Sequence, residues 1–285
     1  MFSKKINFTN FKKKNKFENL RKIYQKINKT ITEKSDPLFN SLTDKYKNSF
    51  KAEQVKKFKK YNFYNLIGMG GSSLGAKGIY SFLNHKIKKK FNFVDNLEIN
   101  KIDTPKKCLN IIISKSGNTL ETVANFNSLG NKIDSIFLTE NKKSYLTKIA
   151  NKLKSEIIEH NDFIGGRYSV LSETGMLPSL LMGLNIQKFK QLNNLIKKKN
   201  FVNNLVQNVG NILSFYKNNK SNSIILNYDE KSNDLFLWYQ QLVAESLGKK
   251  SKGILPIISS MPRDNHSLMQ LYLDGKRNNY FTFFL

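Results

Sequence analysis

The chain has 285 residues, of which 39% are hydrophobic and 12% aromatic, enough to bury a core and to exclude global disorder. No run approaches the ~20 apolar residues of a membrane span, and a single cysteine, Cys108, excludes a disulfide framework or a cysteine metal cluster and fits a reducing compartment. The formal net charge of +27 suggests nucleic acid first, but only four of the 48 basic side chains are Arg (Arg21, Arg167, Arg263, Arg277). Readers of nucleic acid lean on the arginine fork, so the charge reads instead as a lysine-biased surface.

Residues 1–45 are Lys-rich and polar and read as an N-terminal helical arm. They lack the apolar centre of a secretory signal and the Arg bias of a transit peptide. From Tyr61 the pattern alternates. A strand to Ile67 runs into the glycine turn Gly68–Ser73 and a helix from Leu74 to Leu83. A second strand, Cys108–Ile113, ends in Ser114-Lys115-Ser116-Gly117-Asn118-Thr119 before another helix. Ser135–Thr139 is a third strand, followed by a helix to about Leu153, and Glu156–Glu159 is a fourth. Helical patterns fill 173–217, then Ser223–Asn227, Gly253–Ile258 and Tyr280–Leu285 read as strands, with helices over Asp234–Leu247 and His266–Leu273. Repeated strand–turn–helix units predict an α/β protein with parallel sheets covered by helices. The expected division is a first sub-domain over 46–185 and a second over 186–285.

Both hydroxyl- and glycine-rich turns follow a strand and precede a helix, where backbone N–H groups and the positive helix end favour an anion. The first turn lacks the third glycine of the dinucleotide fingerprint, since Ser73 stands there, and Ala76 holds the lysine position of a Walker loop. Glycines there also serve plain strand-to-helix packing. The second turn offers Ser114, Ser116, Thr119 and Lys115 together, more than an N-cap requires, and two such turns would enclose a phosphate monoester. Arg167 after two glycines can face a developing negative charge. Glu245, four residues after Gln241 on one helix face, is a candidate general base, and His266 a candidate proton shuttle. His85 and His160 read as surface residues.

The segments G-M-G-G-S-S-L-G, S-K-S-G-N-T-L-E-T, G-G-R-Y-S-V-L-S-E-T-G, Q-Q-L-V-A-E-S-L-G-K and P-R-D-N-H-S occur in that order. From about residue 65 onward the chain resembles the phosphoglucose isomerase family, whose members pair two sugar-isomerase domains. The resemblance implies two three-layer α-β-α sandwiches with parallel sheets. It implies reversible isomerisation of glucose 6-phosphate to fructose 6-phosphate through a cis-enediol, with no metal or redox cofactor. Gly71, Ser72, Ser114, Lys115, Ser116 and Thr119 would hold the sugar phosphate, and Gln241 would contact substrate. Glu245 would move the proton, Arg167 would stabilise the enediolate, and His266 would act across a homodimer in a cytoplasmic enzyme, with neither nucleic acid nor membrane as partner. Family members carry a late lysine in a G-V-E-L-G-K-like segment, whereas no lysine follows Lys276, so the second sub-domain is expected to be C-terminally incomplete. The alternatives are a bifunctional phosphoglucose/phosphomannose isomerase and a catalytically impaired sugar-phosphate-binding protein. A third, nucleic-acid binding by the Lys-rich arm, lacks a recognisable reading motif.

Overall fold

The computed structural model describes residues 20–32, 37–97, 105, 107–129 and 133–285. Residues 1–19 and 33–36 of the expected arm lie outside them. Three helices, α1 (Leu20–Thr32), α2 (Pro37–Ser41) and α3 (Ala52–Lys56), lead into β1 (Phe63–Ile67). There follow α4 (Leu74–Phe82), β2 (Lys90–Val94), β3 (Leu109–Ile113), α5 (Leu120–Leu129), β4 (Ser135–Thr139), α6 (Tyr145–Lys152), β5 (Glu156–Glu159) and α7 (Glu173–Leu181). The remainder comprises α8 (Leu192–Ile196), α9 (Lys199–Lys217), β6 (Asn222–Asn227), α10 (Asn233–Leu247), β7 (Leu255–Ser260), α11 (Met269–Asp274) and β8 (Asn279–Phe284).

The protein is α/β, with one five-stranded sheet in the order β2-β1-β3-β4-β5 and one three-stranded sheet in the order β7-β6-β8. All strand pairs are parallel. β3 and β4 are buried along their whole length, which is why they read as unbroken apolar runs: a parallel sheet is covered on both faces. Leu109, Ile111 and Ile113 enter the core shared with α4 and α7, while Ile112 enters the opposite core with Phe126 of α5 and Leu146 of α6. That alternation makes the layers helix, sheet, helix. In the smaller sheet Ile224 and Leu226 pack with Met261 on one face, and Phe236 of α10 meets Phe284 edge-on at 4.9 Å.

α4 and α10 join the two sheets. A Cβ at Gly78 would lie 3.1 Å from Leu235 Cα, so only glycine lets the two helices approach this closely. Ser81 on α4 also hydrogen bonds the Asp234 carboxylate on α10. Ile186 and Phe189, beyond residue 185, still pack on the larger sheet's core.

The structure adds detail at two places and corrects an expectation at a third. β2 went unread because Lys90 and Asn92 interrupt a short edge strand whose Phe91 is buried by stacking on Tyr64. The helical patterns over 173–217 resolve into separate pieces: α7 stops before a left-handed turn at Gly183, and α8 and α9 follow. His266 does not start the next helix; it closes a single tight turn at Arg263–Asn265, and α11 begins at Met269.

Candidate active site

β1 and β3 are neighbours, and the helices that follow them leave on opposite faces, α4 with one core and α5 with the other. This is the switch point of an open parallel sheet, where a crevice forms outside the carboxyl ends of the strands. Both turns singled out from the sequence sit there. In the second turn the Ser114 and Thr119 hydroxyls lie 2.8 Å apart. Ser114 Oγ accepts from the Gly117 N–H, and Ser116 Oγ from the Asn118 N–H, each at 3.2 Å. Lys115 extends its ammonium to the Asp162 carbonyl at 2.6 Å and lies 3.5 Å from Glu140. The Lys142 hydrogen bond, aided by Lys115, holds the Glu140 carboxyl below the usual carboxylate range.

The first turn is pressed against the loop that carries Arg167. A Cβ on Gly71 would run into the Gly166 carbonyl, so this contact requires a residue without a side chain. Ser169 Oγ ties both strands of the contact, donating to Gly71 O at 3.2 Å and to Gly166 O at 2.7 Å. Ser72 is half-buried beside it.

Arg167 then reaches α10. Its Nε donates to Ser246 Oγ and one Nη to Glu245 Oε1, both at 2.9 Å. The guanidinium also lies 4.5 Å from the centre of the Tyr168 ring, and the Ser246 hydrogen bond pulls the Tyr168 phenol below its ordinary range, with help from Arg167. Gln241 Nε2 donates to the other Glu245 oxygen at 3.2 Å. Gln241 Oε1 is buried with no hydrogen-bond partner, a polar atom that a ligand hydroxyl would satisfy. Nine of the ten residues expected at the site are thus gathered around the two turns and α10.

His266 stands apart. It is exposed at the end of the Arg263–Asn265 turn, and its imidazole has no hydrogen-bond partner among the described residues. That turn is knitted around Asp264, whose carboxylate accepts from Ser259 Oγ at 2.9 Å and the Ser260 N–H at 2.8 Å. His160, read as a surface residue, is instead buried at the end of β5, with Nδ1 2.9 Å from Asn161 O. Burial pushes it below its ordinary range.

Sequence reasoning passed over Trp238, Ser246 and Tyr168. Trp238 donates to the Arg167 carbonyl at 3.1 Å and Tyr168 meets Ser246 at 3.0 Å. The signal was present: the chain's one tryptophan falls three residues before Gln241 and seven before Glu245, a spacing that shares one helix face.

Residues 56–255 match the sequence pattern of the family described as phosphoglucose isomerase. The chain belongs to the phosphoglucose isomerase family. The match covers both turns, Arg167, Gln241 and Glu245, and stops before His266. A glucose-6-phosphate isomerase of Methanocaldococcus jannaschii is 33% identical over 253 residues, covering 81% of this chain and 62% of the relative. One from Fusobacterium nucleatum is 32% identical over 252 residues, covering 75% and 54%. The chain therefore spans somewhat more than half the length of these phosphoglucose isomerase relatives. Among solved structures, a hypothetical protein of Thermus thermophilus superposes with a TM-score of 0.72 at 22% identity, over 93% of this chain and 70% of that one. A glucose-6-phosphate isomerase of Chlamydia trachomatis gives 0.68 at 19% identity, over 92% and 63%. Both share the fold.

Proposed function

We propose that this protein interconverts glucose 6-phosphate and fructose 6-phosphate. The observation that carries the reading is the Arg167–Glu245–Gln241 cluster, set beside two phosphate-type turns in a chain of this family. The Ser114–Thr119 and Gly68–Ser73 turns hold the phosphate through hydroxyls, backbone N–H groups and Lys115. Glu245 removes the C2 proton of the open-chain aldose, and the electrons shift to give a cis-enediol. The O2 hydroxyl proton is lost and O1 gains one, after which the carboxyl returns its proton to C1. Arg167 commits Nε and one Nη to α10, which leaves further N–H donors of its fork for the developing enediolate oxygen. Gln241 Oε1 takes a sugar hydroxyl. His266 opens the ring from a partner copy, which accords with its exposure and with its lack of a side-chain hydrogen bond among the described residues. On the same reading the enzyme is a homodimer and works in the cytoplasm, where lone, buried Cys108 stays reduced.

A coupled assay tests this. The chain should convert fructose 6-phosphate to glucose 6-phosphate, and Glu245→Gln should lower kcat by about 10²–10⁴-fold. Glucose 6-phosphate deuterated at C2 should lose label to water only with the glutamate in place. An unchanged rate in Glu245→Gln removes the base assignment, turnover of mannose 6-phosphate makes the enzyme bifunctional, and tight binding without turnover makes it a sugar-phosphate binder.

A further inference from the structure

Behind the phosphate turn lies a buried polar network that the isomerisation mechanism does not use. Glu173, the first residue of α7, is fully buried. Its carboxylate accepts from the Tyr46 hydroxyl at 2.9 and 3.0 Å and from the Ser49 N–H at 2.9 Å. The Tyr46 oxygen in turn accepts from Asn161 Nδ2 at 2.6 Å, and Ser49 Oγ donates to Glu159 O at 2.6 Å. Burial and the Glu173 carboxylate both push the Tyr46 phenol above its ordinary range, so it stays a donor. Residues 46–49 therefore form a strap clamped on Glu173 at one side and on the 159–161 segment at the other.

Asn161 begins the loop that runs to Gly165. Asn161 O accepts from the Ile164 N–H at 3.2 Å, which closes the loop into a tight turn, and Asp162 O accepts the Lys115 ammonium at 2.6 Å. We propose that Tyr46 is a positioning residue for Lys115: clamped on Glu173, its hydroxyl holds Asn161 and so sets where the Asp162 carbonyl places the ammonium. The proposal rests on the reading of Lys115 as a phosphate ligand. Tyr46, Asn48 and Ser49 all precede the stretch that matches the family, which begins at residue 56.

Arg167, at the far end of the same loop, is anchored separately by Trp238, Ser246, Glu245 and the Gly71–Gly166 contact. Loosening the strap should therefore reach Lys115 and spare Arg167. A contact to the non-reacting phosphate that is made equally in ground and transition states shows in KM rather than kcat, and that is where the loss is expected to fall.

The test is Tyr46→Phe, which deletes only the hydroxyl, with Asn161→Ala as a second cut of the same link. Ser179→Ala, which removes a buried hydrogen bond to Gly175 O elsewhere on α7, serves as the control for lost stability. Two quantities are read: steady-state constants with fructose 6-phosphate, and acylation of Lys115 by a water-soluble amine reagent, followed by peptide mass spectrometry. Both link variants should raise KM about three- to tenfold with kcat within about twofold, as loss of one hydrogen bond predicts. Lys115 should acylate faster by a similar factor, and Ser179→Ala should change neither. Unchanged acylation, or a lower kcat with unchanged KM, overturns the proposal. If the wild-type chain turns over no sugar phosphate, the proposed function fails while the acylation ratio still decides the positioning role. Faster acylation with both KM and kcat unchanged keeps the positioning role and removes Lys115 from the phosphate site.

Discussion

Lys190 and Glu173 are charged side chains taken almost wholly out of water, at 1% and 0% exposure. Burial of this kind is tolerated only with close partners. The Lys190 ammonium donates to Asn48 Oδ1 at 2.6 Å and sits 4.3 Å from the centre of the Tyr46 ring. Burial pushes it down from its ordinary 10.5 to about 8, with the Glu173 carboxylate opposing the shift. The folded chain thus releases this proton before the unfolded chain does. Between the two values the unfolded state binds more protons, so the unfavourable contribution of Lys190 is full below about 8 and is relieved as pH rises toward 10.5. The Tm of wild type relative to Lys190→Met should therefore climb across that window in calorimetry. A flat difference would show that the ammonium is not held out of water.

Among the elements, α10 does the most. One helix face carries Trp238, Gln241 and Glu245, with Ser246 beside them, and each makes a contact to the Arg167 loop or to its neighbour on the helix. Where α10 sits depends on its packing against α4, closest at Gly78, and against β7. In Gly78→Val the first added carbon already meets Leu235 backbone atoms at 3.1 and 3.2 Å, and backbone cannot rotate away. The helices should separate, lowering stability by about 1–3 kcal/mol. Activity should fall by more than the unfolded fraction explains, because Glu245 moves away from Arg167. Urea midpoints paired with the coupled assay would show this, and a variant that loses stability but keeps full turnover in its folded fraction would contradict it. The strand–turn–helix units that supply the site were legible along the chain because their signals are local. The Trp238 contact was less so, since a lone tryptophan on an apolar helix reads equally well as core.

For the whole molecule the formal charge of +27 sets the long-range behaviour. Such an excess repels itself across the surface and attracts a dianionic ligand. Raising ionic strength from about 10 mM to about 150 mM shortens the screening length from ~30 Å to ~8 Å. Tm should rise, and KM for a sugar phosphate should rise with it. Opposite trends in the two would place the charge effect elsewhere. Among the described residues no helix is long and apolar enough to cross a membrane. The smaller sheet nevertheless leaves Leu255, Phe281 and Phe283 exposed on its edge strands.

Residue order alone determined the α/β class, the two anion-type turns and the pairing of Gln241 with Glu245, since periodicity, glycine placement and helical spacing act over a few residues. Only the tertiary structure decided that β1 lies beside β3, so that two turns 46 residues apart face one crevice. It also brought Arg167 onto Glu245 across 78 residues and buried His160 with the Tyr46–Glu173 strap. A hydrophobic pattern states which face of an element must leave water. It does not state which other element will cover that face, because any apolar surface of matching shape removes the same area from solvent.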